Sequence, residues 1–228
     1  MTNNLLGVEV EEFLRPTPVI DSDHPRIIRF ARSITADQTD DVSRGVALYY
    51  AVRDGVRYDP YSVDLSIVGM RASSTLARKS GFCVPKAILL AAAARAVRIP
   101  SRLGFADVKN HMATERLLTM MQTDVFVFHG YTEFYLASRW VKATPAFNRS
   151  LCQRLKVEPL AFDGRRDSVF QPFDTEGNQF MHYVRDRGTF ADLPLDEMRK
   201  AFERHYPSLM SGGEYRIRGS FEDEVTPQ

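Results

Sequence analysis

Residues 80–95 have the sequence SGFCVPKAILLAAAAR, and this stretch restricts the folds that the chain can adopt. Between Val84 and Val97, only Lys86 and Arg95 carry a charge. A helix that is apolar on nearly all sides is typical of the centre of a domain rather than of its surface. The sequence therefore predicts a buried central helix that begins beside Cys83.

Cys83 stands at the start of this helix, directly after a glycine and a phenylalanine. The free backbone N–H groups and the dipole of a helix N-terminus stabilise a thiolate, and can lower a cysteine pKa from ~8.5 into the range ~3.5–7.5. The alternative is a structural cysteine, because cysteine is among the commonest core residues and most buried thiols are inert. Cys83 is therefore a candidate nucleophile whose assignment depends on a partner elsewhere in the chain.

Composition excludes several classes of function. The chain has 228 residues, of which 44% are hydrophobic and 26% are charged, as in an ordinary globular protein. A net charge of +1 predicts no nucleic acid partner and no membrane attachment. No apolar run reaches the ~18–20 residues of a membrane span, and the N-terminal residues do not resemble a signal peptide. We expect a cytoplasmic protein without a disulfide framework, and the absence of ligand-like Cys and His spacings or a phosphate loop predicts no metal and no cofactor.

The order of the predicted elements indicates an α+β fold. Residues 25–34, 41–55 and 73–79 have helical patterns, and the chain ends in an amphipathic helix after residue 192. Strand patterns lie at residues 101–108, 124–136, 139–144 and 180–187. Helices followed by an antiparallel sheet are typical of one α+β domain, which we expect over residues 1–220. The polar residues 221–228 are expected to be a disordered tail.

His129 interrupts an otherwise aromatic and β-branched strand. Gly130 beside it leaves space for another group to approach closely. A lone histidine in a strand is commonly a structural residue with satisfied hydrogen bonds. A cysteine at a buried helix start with a histidine on the next hairpin instead favours a nucleophile and its base.

Four pieces of sequence occur in an informative order. They are GFC at 81–83, RAVRIPSR at 95–102, HGYTEF at 129–134 and WVKATP at 140–145. Together, with weaker likeness over residues 49–61, they resemble the transglutaminase-like superfamily, a papain-related group of thiol enzymes that includes bacterial cysteine proteases. The resemblance implies a papain/transglutaminase-like core, in which a central helix carrying Cys83 packs on an antiparallel sheet. It also implies Cys83 as nucleophile and His129 as base.

The chain departs from the family at the residue that should orient the base. The family pattern has an aspartate followed by a proline at the end of the second hairpin strand, whereas here Thr144 precedes Pro145. A hydroxyl can fix the imidazole tautomer but cannot supply negative charge. We expect Asn148 to take this role ahead of Thr144, because an amide reaches further and its carbonyl is the stronger acceptor. Further candidates in the following segment are Asp163, Asp167 and Asp174.

Three residues are expected to contact substrate. Tyr58 precedes the Cys83 helix in a loop where the family often has a contributor to the oxyanion site, and the backbone N–H of Cys83 is the other expected donor. His111 lies in a connection between strands, where it could line a substrate entrance or be a solvated loop residue. Tyr131 follows His129 closely in the same motif.

The resemblance implies acyl transfer on a peptide or amide substrate. His129 would take the Cys83 proton, or hold an ion pair already formed, and a thioester would then be resolved by water or by an amine. We expect hydrolysis, by a protease or amidase, because the additional β-domains of animal-type crosslinking enzymes are not found in the chain. The alternatives are an amine-accepting transglutaminase and a catalytically silent binding or scaffold module, which the lost aspartate would favour.

Overall fold

The computed structural model describes residues 10–110, 113–169, 175–177, 181–210 and 214–225. The helices in these ranges lie before, between and after the strands of a central sheet. In chain order they are α1 (Pro25–Thr35), α2 (Asp41–Gly55), α3 (Ile67–Met70), α4 (Ala72–Arg78), α5 (Cys83–Ala96), α6 (Glu115–Met121), α7 (Arg149–Arg154), α8 (Leu195–His205) and α9 (Phe221–Glu224). None of them combines the length and the apolar character that a membrane span requires.

The main sheet is antiparallel. Its strands are β4 (Ser101–Asn110), β5 (Val125–Leu136), β6 (Arg139–Ala143) and β7 (Met181–Phe190), arranged in the order β6-β5-β4-β7. Two short pairs accompany it: β1 (Arg57–Tyr58) runs parallel to β3 (Ser80–Gly81), and β2 (Ser62–Asp64) runs antiparallel to β8 (Glu214–Arg216). The β1–β3 pair ends immediately before α5, so it fixes where that helix begins.

The helix α5 lies at the centre of the fold, as its apolar sequence predicts. Every residue from Cys83 to Arg95 is buried. The helix packs on β4 and β5, while α1, α2 and α4 also contact it. The hydroxyl of Thr132 on β5 donates to the carbonyl oxygen of Ala87 at 2.8 Å, which ties the helix to the sheet.

The two charged side chains of α5 are satisfied by backbone oxygens. Lys86 Nζ donates to the carbonyl oxygens of Arg53 and Val56, at the C-terminal end of α2. The Arg95 guanidinium donates to backbone carbonyls of three other segments. A buried cationic side chain without such partners would be costly. The two charges that interrupt the apolar run therefore fasten neighbouring segments to the central helix.

The predicted α+β core is confirmed, with its central helix packed on an antiparallel sheet. The sequence reading missed the short elements: β1, β2, β3, α3, α7, β8 and α9. Most of them have four residues or fewer. In such short segments a periodic pattern cannot develop, and tertiary contacts decide the conformation.

The expectation of a disordered tail over residues 221–228 is wrong in its first half. Phe221–Glu224 forms α9, and Phe221 is only 3% exposed. The Phe221 ring packs against the rings of Tyr58 and Tyr61, with centroids 5.8 Å and 5.6 Å apart. Burial of one aromatic ring thus orders a segment whose composition is otherwise polar. Residues 226–228 lie outside the described ranges.

Candidate active site

Cys83 is the first residue of α5 and lies where the strand β5 comes closest to the helix. A Cβ atom placed on Gly130 would lie 3.1 Å from Val84 Cα, tighter than ordinary van der Waals contact. Only a glycine lets β5 run this close to the first turn of the helix. The residue before it, His129, lines the same cavity as Cys83.

His129 follows an irregularity in the sheet. His129 pairs with Ala106 and Phe126 pairs with Val108, so that two residues of β5 stand opposite Asp107 alone. The second of these two, Phe128, has a left-handed backbone with φ of 57°. Such bulges bend a strand and re-aim the side chains that follow them.

Cys83 and His129 line one cavity of about 40 Å³. Cys83 is 7% exposed and His129 is 6% exposed. The other walls are aliphatic and aromatic: Tyr58, Pro60, Val63, Phe82, Leu117, Met121, Phe126, Val127, Phe128, Phe202, Tyr206 and Tyr215. None of the described residues that line this cavity is an aspartate, glutamate, lysine or arginine, so they place no charged side chain beside the thiol and the imidazole.

Burial sets the protonation states of both groups. It raises the pKa of the Cys83 thiol to about 11, and the backbone N–H groups of Gly130 and Val84 offset only part of this rise. Burial also lowers the pKa of His129 to about 4. The pair is therefore a neutral thiol and a neutral imidazole near pH 7. The expectation that the helix N-terminus would lower the Cys83 pKa is wrong for this closed site, because the loss of water outweighs the backbone donors.

Thr144 lies on the other side of His129. Both line a second cavity of about 10 Å³, whose remaining walls are apolar: Ala146, Phe147, Leu160, Val169 and Met181. Thr144 is 3% exposed, and its hydroxyl has no hydrogen-bond partner among the described residues. Its backbone N–H donates to the Ser168 carbonyl at 2.8 Å, which fixes the residue just after β6.

Asn148 is not placed behind His129. Its side-chain oxygen accepts the Tyr58 backbone N–H at 3.0 Å, and its amide nitrogen donates to the Ser150 hydroxyl at 2.7 Å. It also does not line the cavity that His129 shares with Thr144. The expected preference for Asn148 over Thr144 is therefore reversed, because the polar atoms of Asn148 are already used to hold β1 and the start of α7.

The aspartates considered as alternatives are engaged elsewhere. Asp163 accepts the backbone N–H groups of Arg165 and Arg166, both at 2.8 Å. Asp167 accepts the backbone N–H of Lys142 at 3.0 Å. Asp174 lies outside the described residues. Within the described part of the chain, no carboxylate lines the cavity behind His129.

The three expected substrate contacts have different outcomes. Tyr58 lines the Cys83 cavity, and burial raises its pKa well above the ordinary value, so its hydroxyl stays protonated. Tyr131 lines neither cavity; its ring packs over the α-carbon of Gly104, where a side chain could not fit. Tyr131 is thus a packing residue rather than a substrate contact. His111 lies outside the described residues.

Sequence reasoning missed the part of the cavity wall that comes from the C-terminal third of the chain. Phe202 on α8, Tyr206 after it and Tyr215 on β8 all line the cavity. The Tyr206 hydroxyl accepts the Val127 N–H at 2.7 Å and so holds β5 at the first residue of the bulge. Phe202 lies on the apolar face of a predicted amphipathic helix, and a residue in that position is ordinarily interpreted as part of the hydrophobic core. In the described residues, no three His, Cys, Asp or Glu side chains come together as metal ligands would.

Comparisons with known proteins give one family match and two similar structures. Residues 28–145 match the Transglutaminase-like superfamily, a range that includes both Cys83 and His129. A candidate cysteine protease from Cytophaga hutchinsonii has a similar structure, with a TM-score of 0.52 and 18% identity over 84% of this chain and 50% of that one. A candidate protease from Parabacteroides distasonis gives a TM-score of 0.38 and 14% identity over 52% and 23% of the two chains. The chain spans about half the length of the first of these proteins. No curated protein matches it significantly.

Proposed function

The chain belongs to the transglutaminase-like superfamily, and from this membership we propose that it is a thiol-dependent acyl-transfer enzyme. In this proposal it hydrolyses an amide or peptide bond, with Cys83 as nucleophile and His129 as base. One observation carries the proposal: both side chains line the same closed, largely apolar cavity. Burial of two titratable groups lowers the stability of the fold without a compensating structural gain, which favours a chemical role for them.

The protonation states favour general-base catalysis over a resting ion pair. With the thiol pKa at about 11 and the imidazole pKa at about 4, the proton rests on Cys83. His129 then takes this proton as the sulfur attacks the substrate carbonyl, which forms the C–S bond and places negative charge on the carbonyl oxygen. The imidazolium next gives the proton to the leaving amine as the C–N bond breaks. The product of this half-reaction is a Cys83 thioester and a free amine.

Two groups near Cys83 can stabilise the oxyanion. The Cys83 backbone N–H belongs to the first turn of α5, where N–H groups have no acceptor within the helix. The Tyr58 hydroxyl lies in the wall of the same cavity and stays protonated. Removal of a single oxyanion donor commonly reduces kcat by ~10²–10³. Tyr58 is therefore proposed as a catalytic residue rather than a general substrate contact.

The cavity favours water over an amine as the acceptor in the second half-reaction. A cavity of about 40 Å³ has room for a few water molecules. Its described walls contain no carboxylate that would attract an ammonium group. Water attacks the thioester carbonyl while His129 accepts its proton, and the thiol and a carboxylic acid are released.

Thr144 is proposed to orient His129. Its unpartnered hydroxyl lines the small cavity on the far side of the imidazole, and the volume of about 10 Å³ is close to the space for one water. The hydroxyl can accept the ring N–H directly or through such a water. It supplies no charge, so the imidazolium formed in the reaction is stabilised less than in a Cys-His-Asp site.

A second candidate is a catalytically silent binding module. The observation that favours it is the apolar lining of the cavity that His129 shares with Thr144, which is the only other polar residue lining it in the described part of the chain. In that case Cys83 would be inert, and Cys83→Ala would leave the protein's binding properties unchanged. The two functions differ in whether Cys83 accepts an acyl group.

The test uses p-nitrophenyl acetate, an activated ester whose acetyl group is small enough for the cavity. We expect p-nitrophenolate release together with one acetyl group on Cys83, located by peptide mass spectrometry. The substitution Cys83→Ala should abolish the adduct, and His129→Gln should slow its formation by ~10²–10⁴. Added methylamine reports the acceptor, since N-methylacetamide forms only if an amine can reach the thioester.

The matched control is Cys152→Ala. Cys152 is also a buried cysteine, but it lies on α7 and does not line the Cys83 cavity. Acetylation at wild-type rate in Cys152→Ala, with none in Cys83→Ala, supports the proposal. A folded wild-type protein that leaves Cys83 unmodified supports the silent module instead.

A further inference from the structure

The strand β4 departs from regular pairing with both of its neighbours at Asp107. On one side, two residues of β5 stand opposite Asp107. On the other side, the register with β7 shifts before and after Asp107, which itself pairs with Arg185. Asp107 is 5% exposed, so a carboxylate is buried at the point where the ladder is irregular on both sides.

The Asp107 carboxylate binds both irregular neighbours. One oxygen accepts the Phe128 backbone N–H at 3.0 Å, which is the residue with the left-handed backbone. The same carboxylate accepts two hydrogen bonds from the Arg187 guanidinium, at 2.5 Å and 2.9 Å. Together these bonds satisfy the buried charge and attach both β5 and β7 to the same carboxylate.

Arg187 completes the arrangement on the ring of Phe128. Its guanidinium carbon lies 4.3 Å from the centroid of that ring, a distance suited to a cation–π contact. Phe128 is therefore held at its backbone by Asp107 and at its side chain by Arg187. A non-glycine residue keeps a left-handed backbone only where the surroundings determine it.

The residue after Phe128 is His129, so the direction of its imidazole depends on this bulge. Successive residues of a strand point to opposite faces of the sheet. One extra residue in a bulge therefore changes the direction of the side chain that follows it. We propose that Asp107 and Arg187 are positioning residues, which lock the Phe128 bulge and thereby aim His129 at Cys83. Only the kinetic consequence of this inference rests on the proposed function. The direction of the His129 imidazole does not depend on it.

The test compares Asp107→Asn and Arg187→Gln with the wild-type protein. Asp107→Asn keeps the side-chain shape but loses the charge pair, while Arg187→Gln loses the charge pair and the cation–π contact with Phe128. We expect the rate of Cys83 acetylation at saturating p-nitrophenyl acetate to fall roughly tenfold to a hundredfold in both variants. The ester concentration at half-saturation should stay unchanged.

The matched control is Glu133→Gln. Glu133 is also a buried carboxylate of this sheet, 3% exposed, and it binds Arg102 at 2.6 Å without touching the bulge. The control should lose a comparable ion pair and keep the wild-type acetylation rate. A double-substitution cycle then separates positioning from general damage: in a His129→Gln background, Asp107→Asn should slow acetylation no further.

A second readout does not require catalysis. The imidazole resonances of His129, one of five histidines, are assigned by their loss in His129→Gln. Asp107→Asn should shift or broaden them, and Glu133→Gln should not. Unchanged His129 resonances in folded Asp107→Asn, or equal slowing in the presence and absence of His129, would overturn the inference. If the wild-type protein is not acetylated at all, the proposed function fails while the resonances still decide the positioning.

Discussion

Thr144 and His129 line the same cavity of about 10 Å³, although one follows β6 and the other lies within β5. No other polar side chain of the described residues lines this cavity. The hydroxyl makes no hydrogen bond to the described residues. A buried polar atom left unsatisfied lowers stability, and the proposed orientation of His129 would give this hydroxyl a partner.

Thr144→Val should therefore separate activity from stability. The substitution removes the hydroxyl and keeps the shape, so we expect Cys83 acetylation to slow by about tenfold as His129 loses its orienting group. Because the hydroxyl is unpartnered, the free energy of unfolding should stay equal or rise by up to about 1 kcal/mol. Urea unfolding and the acetylation rate measure the two effects on the same sample.

The control for this substitution is Thr132→Val. The Thr132 hydroxyl is equally buried but donates to the Ala87 carbonyl at 2.8 Å. Its removal should lower the free energy of unfolding by about 1 kcal/mol, because a backbone oxygen loses its partner. If Thr144→Val destabilises the protein as much as Thr132→Val does and leaves acetylation unchanged, Thr144 is a packing residue.

The pH dependence of acetylation should distinguish a neutral pair from an ion pair. A neutral His129 with a pKa of about 4 is ready to act as base at every pH above that value. The rate should therefore rise through pH 4 and stay flat toward the thiol pKa of about 11. A thiolate–imidazolium pair would instead lose activity above the imidazolium pKa. A fall in rate between pH 8 and pH 9, after subtraction of spontaneous ester hydrolysis, would contradict the neutral pair.

The main elements of the fold could be predicted because their patterns are long. The apolar run from Cys83 to Arg95 predicts a buried helix. The aromatic and β-branched run through His129 predicts a strand. Cys83 and His129 stand out as candidates for the same reason: each is a polar side chain in an apolar element. The family resemblance of the surrounding motifs then joins the two into a candidate pair.

The electrostatics and the third residue could not be predicted in this way. Whether the pKa of Cys83 is raised or lowered depends on how completely other segments, among them Tyr215 from β8, exclude water. The choice between Asn148 and Thr144 depends on which polar atoms are already occupied, and Asn148 is occupied by Tyr58. Such facts concern contacts between residues distant in sequence, which no local pattern encodes.

His129 should also affect stability as a function of pH. Burial lowers its pKa from the ordinary value of 6.5 to about 4, so between these values the unfolded chain binds this proton and the folded chain does not. The stability due to a neutral His129 is full above pH 6.5 and is lost as the pH falls toward 4, by about 3 kcal/mol in all. Urea unfolding of wild type and His129→Gln should therefore diverge over this interval, with the wild type losing more. Parallel curves would mean that His129 is solvated in the folded protein.

The approach of β5 to the first turn of α5 depends on the missing side chain at Gly130. A Cβ atom there would lie 3.1 Å from both Val84 Cα and Val84 Cγ2, so Gly130→Ala must push strand and helix apart. We expect a loss of about 1–3 kcal/mol in the free energy of unfolding, together with slower acetylation, because His129 moves away from Cys83. At Gly55, the last residue of α2, a Cβ meets no atom within 4 Å, and Gly55→Ala should leave the rate unchanged and add up to about 1 kcal/mol of stability. If the two substitutions have the same effect on acetylation, close contact between β5 and α5 is not what holds the pair together.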